Sequence, residues 1–326
     1  MLKPFKTYDQ QANLLISRGL EDQSLKPQLI QRLQAVGYYR LSGYFYPFRR
    51  TAVRAGQQVK LDIFRTGARL KTVWNYYLFD RRLRFLIMDA IERVEIAFRV
   101  CLAYEWAKTS GISNPQSLKG HFAKKYRNRS QAERLKLFQA NYDRSLEDFA
   151  FHFREDEGIA QVEDLPVWVF VQFSTFGNLH NLYKDGLPLK LRQVIAQLFG
   201  FPDEAFFSSL MALLVAARNI CAHHGRLWNR KWKYDTQNQM HPVRSRLADI
   251  AKDSTEPHWD SALRGNFSKE KTAFLLTALH VLLKYATNTS QWDERLMNLL
   301  QDSAPGAGIE AEMGFPRDWR EHSLWR

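Results

Sequence analysis

Residues 79–99 read FDRRLRFLIMDAIERVEIAFR, and the periodicity of this stretch decides the fold. Stepping about 100° per residue from Arg82, apolar side chains occupy most of the circumference. The polar positions Arg84, Glu92, Glu95 and Arg99 gather within about 80°, between roughly 200° and 280° on the same step. A helix apolar nearly all round is central to its fold, so this narrow polar stripe is expected to face solvent, a partner or a cleft. Glu95 and Arg99 stand four apart, as a surface ion pair or as the lining of an active cleft.

Outward from this helix the chain keeps the same period. Apolar helices are expected at about 8–19, 24–36, 66–106, 131–153, 164–183, 187–199, 203–224, 243–252 and 269–285. Period-2 runs are scarce, so the economical reading is an all-α fold. Gly and Pro punctuate it at Gly56, Gly67, Gly111–Pro115, Gly158, Gly186–Pro188, Gly200–Pro202 and Pro305–Gly308. There is no internal repeat, no low-complexity tract and no linker long enough to mandate two domains. The expected organisation is a basic, aromatic helical region over 1–70, a helical bundle over 71–302 and a tail over 303–326, unless all three pack as one compact unit. The tail ends in GFPRDWREHSLWR (314–326), whose aromatics predict docking onto the body.

The composition is that of an ordinary globular protein: 326 residues, 45% hydrophobic and 25% charged. Its two cysteines, Cys101 and Cys221, exclude a disulfide scaffold and fit a reducing cytoplasm. The N-terminus MLKPFKTYDQ has no apolar core of a signal peptide. The longest apolar runs, such as Phe206–Ala217 and Ala273–Leu283, fall short of the roughly 20 residues that span a bilayer. A cytoplasmic protein with no membrane partner is expected.

Charge is less ordinary. Lys and Arg number 47 against 34 Asp and Glu, a net of +13, with a pI near 9.7. The excess lies in the first half, since residues 1–150 carry a net +14 and residues 151–326 a net −1. Such a balance points to a polyanion, nucleic acid before membrane; the plainer alternative is cations scattered over a solvated surface. Two stretches interleave cations with aromatics, as single-stranded RNA binding does. GYYRLSGYFYPFRR (37–50) places Tyr38, Leu41, Tyr44 and Phe48 at helical spacing and is better read as core. KGHFAKKYRNR (119–129) has few aliphatic residues, so Lys119, Lys124, Lys125, Arg127 and Arg129 are the expected RNA contacts there. Arg230, Lys231 and Lys233 form a further basic cluster beside Arg218 and Arg226.

The segment AARNICAHHGRLWNR (216–230) carries the chemistry. With Phe206 at the origin of a helical wheel, Leu210, Leu213, Leu214, Ala217, Ile220 and Cys221 cluster near 20° as a core face, using about 100° per residue. Asn219 then falls near 220°, His223 near 260° and Arg226 near 200° if the helix runs that far, on the same step. Arg218 flanks this outward face with a side chain long enough to curl toward His223. His224 falls on the core face and is expected to be structural. Imidazole exchanges protons near neutral pH, guanidinium stabilises charge building on phosphorus, and an amide orients phosphate or ribose. Arg218, Asn219 and His223 therefore suit phosphodiester cleavage.

This segment resembles the R-x(4–6)-H motif of HEPN domains, the all-α bundles of many prokaryotic ribonucleases. More narrowly, the chain resembles the Abi-like abortive-infection family of the AbiD/AbiF type. The matching blocks are GYYRLSGYFYPF (37–48), FDRRLRFLIMDAIERVEIAFR (79–99), PVWVFVQFSTFGNL (166–179), RNICAHHGRLWNR (218–230) and MGFPRDWREHSLW (313–325). The R-x4-H spacing alone is a weak signal, whereas five ordered blocks are specific. The resemblance implies a HEPN-like helical bundle with an N-terminal helical extension. It also implies a metal-independent endoribonuclease that arrests growth or blocks phage, through 2′-hydroxyl attack leaving a 2′,3′-cyclic phosphate. Such motifs work in pairs, and one R-x4-H helix per chain implies a homodimer. A small non-coding RNA is implied as a further partner. Arg218, Asn219 and His223 would be catalytic, with Arg226, Asn229, Glu95 and Arg99 in support.

The competing reading is a non-catalytic RNA-binding protein in which the same residues hold phosphate without cleaving it. A metalloenzyme is disfavoured because adjacent His223 and His224 diverge by about 100° on a helix and lack partners at ligand spacing. Cys221 lies on the core face, which keeps a thiol protonated. No phosphate-cradling GxxxxGK[ST] or GxGxxG loop is present. Neither cofactor nor metal is expected.

Overall fold

The computed structural model describes residues 4–21, 23–110, 129–232, 271–287, 291–302, 306, 308–321 and 325. The expected helix at 243–252 lies outside them. The described residues are mostly helical. The helices are α1 (Tyr8–Ser17), α2 (Lys26–Val36), α3 (Tyr38–Phe45), α4 (Leu70–Ser110), α5 (Arg129–Arg144), α6 (Asp148–Phe151), α7 (Val167–Phe170), α8 (Phe176–Asn181), α9 (Leu189–Leu198), α10 (Glu204–Ala222), α11 (Thr272–Ala286), α12 (Trp292–Asp302) and α13 (Ile309–Met313).

α4 is the axis, as its apolar circumference requires. Leu83, Ile87, Ala90, Ile91, Val94, Phe98 and Leu102 are buried along it, against α3, α7, α9, α10, α11 and α12. The Nε1–H of Trp292 donates to the Leu86 carbonyl at 2.9 Å, tying α12 to the same axis. Capping explains where its neighbours start. Thr7 and Gln10 close a reciprocal capping box on α1. The Asp203 carboxylate accepts the Ala205 and Phe206 amides at 2.8 and 3.1 Å and opens α10.

The polar stripe expected on α4 does not behave as one face. Arg84 is buried and meets Asp80 at 2.5 Å, whereas Glu92 is exposed. Arg99 and Glu95 do pair, at 2.8 Å, but Arg99 also donates to the Val171 carbonyl and, at 3.0 Å, to the Ser174 carbonyl and hydroxyl. Its guanidinium therefore holds the irregular turn after α7. This is why the helix expected at 164–183 is broken: α7 and α8 are separated at Ser174–Thr175, where Thr175 caps α8 by accepting the Asn178 amide.

An antiparallel hairpin stands in the N-terminal region where helix alone was expected. β1 (Arg49–Arg54) pairs with β2 (Gln57–Phe64). Ala55 and Gly56 both have positive φ, 48° and 75°, the backbone of a two-residue turn that matches strand twist. Its signal was present in QQVKLDIF, where Val59, Leu61 and Ile63 alternate with Lys60 and Asp62. Phe64 turns inward and stacks on Phe45 at 5.3 Å, which joins the hairpin to the core. That core is one cluster extending from Ala12 to Trp325.

At the chain's far end, Phe315, Trp319 and Trp325 are buried together, and Trp325 stacks on His280 at 4.5 Å. Among the described residues, Glu204–Ala222 is long and apolar enough to cross a membrane. Its residues Phe207, Leu210, Met211, Leu214 and Ala217 line the core.

Candidate functional site

α10 delivers the motif to the surface. Leu210, Leu213, Leu214, Ala217 and Cys221 are buried and Arg218, Asn219 and His223 are exposed, the separation the wheel requires. The Asn219 side-chain Oδ1 lies 3.5 Å from an Arg218 guanidinium nitrogen that donates to it. Burial pushes the Cys221 thiol up to about 12, with Arg84 pulling it down and Asp80 adding to the rise. It remains a protonated core side chain.

The helix does not continue past this point. It ends at Ala222 with His223 as its cap, and His224 adopts a left-handed φ of 57°. The Gly225 amide donates back to the Ile220 carbonyl at 2.7 Å and the His224 amide to the Cys221 carbonyl at 2.9 Å. These two bonds make a Schellman ending with histidine where glycine usually stands. His224 is consequently exposed rather than turned into the core. Gly225 is required by close approach, because a Cβ there would lie 2.8 Å from the Ile220 Cγ2 methyl.

The turn after the helix is anchored from below by a buried carboxylate that sequence reasoning did not single out. Asp80 is fully buried. Its Oδ1 accepts the backbone amides of Leu227 and Trp228 at 3.0 and 2.8 Å. Its Oδ2 accepts the Tyr44 hydroxyl at 2.6 Å and an Arg84 nitrogen at 2.5 Å. Arg84 also donates to the Gly225 carbonyl at 3.3 Å. Burial pushes the Asp80 carboxyl up, and the four donors pull against it. Burial first, then the adjacent carboxylate, raises the Tyr44 phenol. One network thus joins α3, α4 and the segment after α10.

The supporting residues separate. Arg226, no longer helical, is half-buried and donates to the Gly43 carbonyl of α3, and burial lowers its pKa. Arg230 donates to the Arg226 carbonyl at 3.5 Å and lies 5.8 Å over the Trp232 ring. Lys231 is exposed, and Asn229 is partly buried, its Oδ1 without a partner among the described residues. Glu95 and Arg99 are not brought to the motif within one chain. Arg99 lies fifteen residues, about 22 Å of helix rise, beyond the Arg84 that touches Gly225. Phe98 there packs on Phe207, at the other end of α10. Lys119, Lys124, Lys125, Arg127 and Lys233 lie outside the described residues, as does the side chain of Arg129.

A groove of about 600 Å³ opens beside the motif. Tyr38, Tyr39 and Arg40 line one side, and His223, His224 and Arg226 the other. The GYYRLSGYFYPFRR stretch therefore does two jobs. Leu41, Tyr44 and Phe48 are core, while Tyr39 and Arg40 are exposed beside the histidines. Among the described residues, no group of three or more His, Cys, Asp or Glu is arranged to hold a metal ion.

The Abi-like protein family model matches residues 31–229. The chain belongs to the Abi-like protein family. This Abi-like match contains α3, the axial helix α4 and the whole Asp80-anchored turn after α10. Family membership suggests a role in abortive infection. No curated protein and no solved structure matches the chain.

Proposed function

We propose that this Abi-like protein is a metal-independent endoribonuclease of an abortive-infection or toxin–antitoxin system. The observation that carries the reading is the exposure of Arg218, Asn219 and His223 together at the end of α10, on a chain with net charge +13. An exposed imidazole beside a guanidinium, on a basic protein, fits phosphodiester chemistry.

In the proposed reaction, imidazole takes the proton of a ribose 2′-hydroxyl as that oxygen attacks the adjacent phosphorus. The bond from phosphorus to the 5′-oxygen breaks, and the leaving oxygen takes up a proton. The products are a 2′,3′-cyclic phosphate and a 5′-hydroxyl. Arg218 stabilises the charge on the phosphoryl oxygens, and Asn219 orients the phosphate or ribose. A homodimer supplies a second His223, so that one imidazole acts as base and the other as acid. Asp80, Tyr44 and Arg84 hold the turn that follows His223.

The test is cleavage of total cellular RNA in EDTA by purified wild type and His223→Ala. The expected result is discrete fragments with cyclic-phosphate ends from wild type, with His223→Ala slower by about 10²–10⁴-fold. Cleavage undiminished in His223→Ala removes the assigned site. RNA binding by both with cleavage by neither favours the non-catalytic reading, in which the protein assembles with a small non-coding RNA.

A further inference from the structure

α3 is a core helix exposed at Tyr39 and Arg40. Leu41, Tyr44 and Phe45 are buried, but Tyr39 is 80% exposed at the mouth of the groove that also holds His223. Its neighbour Tyr38 is braced. The Tyr38 hydroxyl accepts from Arg18 at 2.9 Å, and Arg18 is itself paired with Asp62 at 3.1 Å. The Tyr39 ring meets Tyr38 edge to face, with centroids 5.8 Å apart. No other ring stacks on Tyr39 among the described residues. Arg40 is exposed beside it, and Arg226 closes the opposite wall against Gly43.

An exposed aromatic on a braced support, flanked by cations, is a platform for a planar group that carries negative charge nearby. In RNA that group is an unpaired base with its phosphate, since stacking on aromatic rings combines with phosphate neutralisation. The groove volume of about 600 Å³ lies in the range of small-ligand sites. A duplex offers no free base face, so it does not meet this surface productively. We infer that the groove between α3 and the 223–226 turn seats an unpaired nucleobase next to the scissile phosphate, stacked on Tyr39, with Arg40 on the adjoining phosphate. The inference rests on the ribonuclease reading for the word scissile, and it narrows the substrate class to single-stranded or looped RNA.

The test uses full-length His223→Ala protein, expected to cleave about 10²–10⁴-fold more slowly, and short single-stranded RNA oligomers carrying 2-aminopurine at one position. Binding is expected to quench the fluorophore at a particular position. Adding Tyr39→Ala removes that quench and weakens binding about tenfold or more, while Tyr39→Phe, which keeps the ring, preserves both. Arg40→Ala reduces the slope of log K against log salt by about 1. Annealing a complementary strand abolishes the quench. Tyr39→Ala that binds and quenches like its parent overturns the subsite, whatever the cleavage assay shows. A Tyr39-dependent quench with no wild-type cleavage overturns the ribonuclease reading instead and reduces the groove to a base-binding site.

Discussion

Asp80 and Trp228 stand 148 residues apart, yet the Asp80 carboxylate accepts the Trp228 backbone amide at 2.8 Å from a fully buried position. The relationship explains how an exposed motif is held in register. α10 stops at Ala222, and the chain after it has no helical ladder of its own. Its amides at Leu227 and Trp228 are satisfied by a side chain from α4, as buried backbone donors must be.

Asp80→Ala is therefore expected to cost about 3–5 kcal/mol, because it leaves Arg84 as an uncompensated buried charge beside two orphaned amides. Asp80→Asn keeps an acceptor toward the amides and loses the acceptor toward Arg84, so its cost falls between wild type and alanine. Urea unfolding of the three proteins measures this order. An alanine cost under about 1 kcal/mol would mean that the turn holds itself without the carboxylate.

His224 occupies backbone space that glycine prefers, with φ 57°. A non-glycine residue there pays about 1–2 kcal/mol, though histidine tolerates it better than most. His224→Gly relieves that cost but gains unfolded-chain entropy of similar size, and is expected within about 1 kcal/mol of wild type. His224→Val, β-branched at positive φ, is expected to lose more than about 1 kcal/mol. Equal stability of the valine and glycine variants in urea would remove the left-handed assignment. Because the His224→Gly fold is expected intact, its cleavage rate reports on the imidazole and not on the turn.

Much of this architecture is legible in the sequence. The core face of α10, the centrality of α4 and the outward set Arg218, Asn219 and His223 all follow from a 3.6-residue period. The wheel fails where the helix ends. It carried His224 and Arg226 around an axis that stops at Ala222, because histidine stands at the left-handed position and the glycine that marks the stop, Gly225, comes one residue later. The Asp80 network is invisible for a different reason. A helical wheel ranks Asp80 as one more charge, while its four donors come from Tyr44, Arg84, Leu227 and Trp228. The hairpin was legible in the alternation of Val59, Leu61 and Ile63 and in Gly56, but exposed residues dominate both strands. It therefore left little apolar signal. The double role of residues 38–40 is set by the proximity of α3 to the 223–226 turn, a contact between distant segments that local periodicity does not carry.

His180 supplies a pH dependence with a definite sign. It lies buried on α8, and its Nε2 donates to the Ser208 carbonyl of α10 at 2.9 Å. Burial lowers its pKa to about 4, against the pull of the Ser208 bond. In the unfolded chain the imidazole titrates near 6.5. Between those two values the unfolded state holds a proton that the folded state refuses, so stability rises with pH across the window. The contribution is complete above about 6.5 and is lost as pH falls toward 4, a change of about 3 kcal/mol. His180→Gln offers a donor to Ser208 without a titrating group. The variant is expected to lose less stability than wild type between pH 7 and pH 4.5, by about 2 kcal/mol or more, read from urea midpoints at the two pH values. Carboxylates elsewhere contribute equally to both proteins and cancel in the comparison. Parallel pH profiles would mean that His180 takes up its proton in the fold as readily as in the unfolded chain, so that its burial against α10 does not hold it neutral.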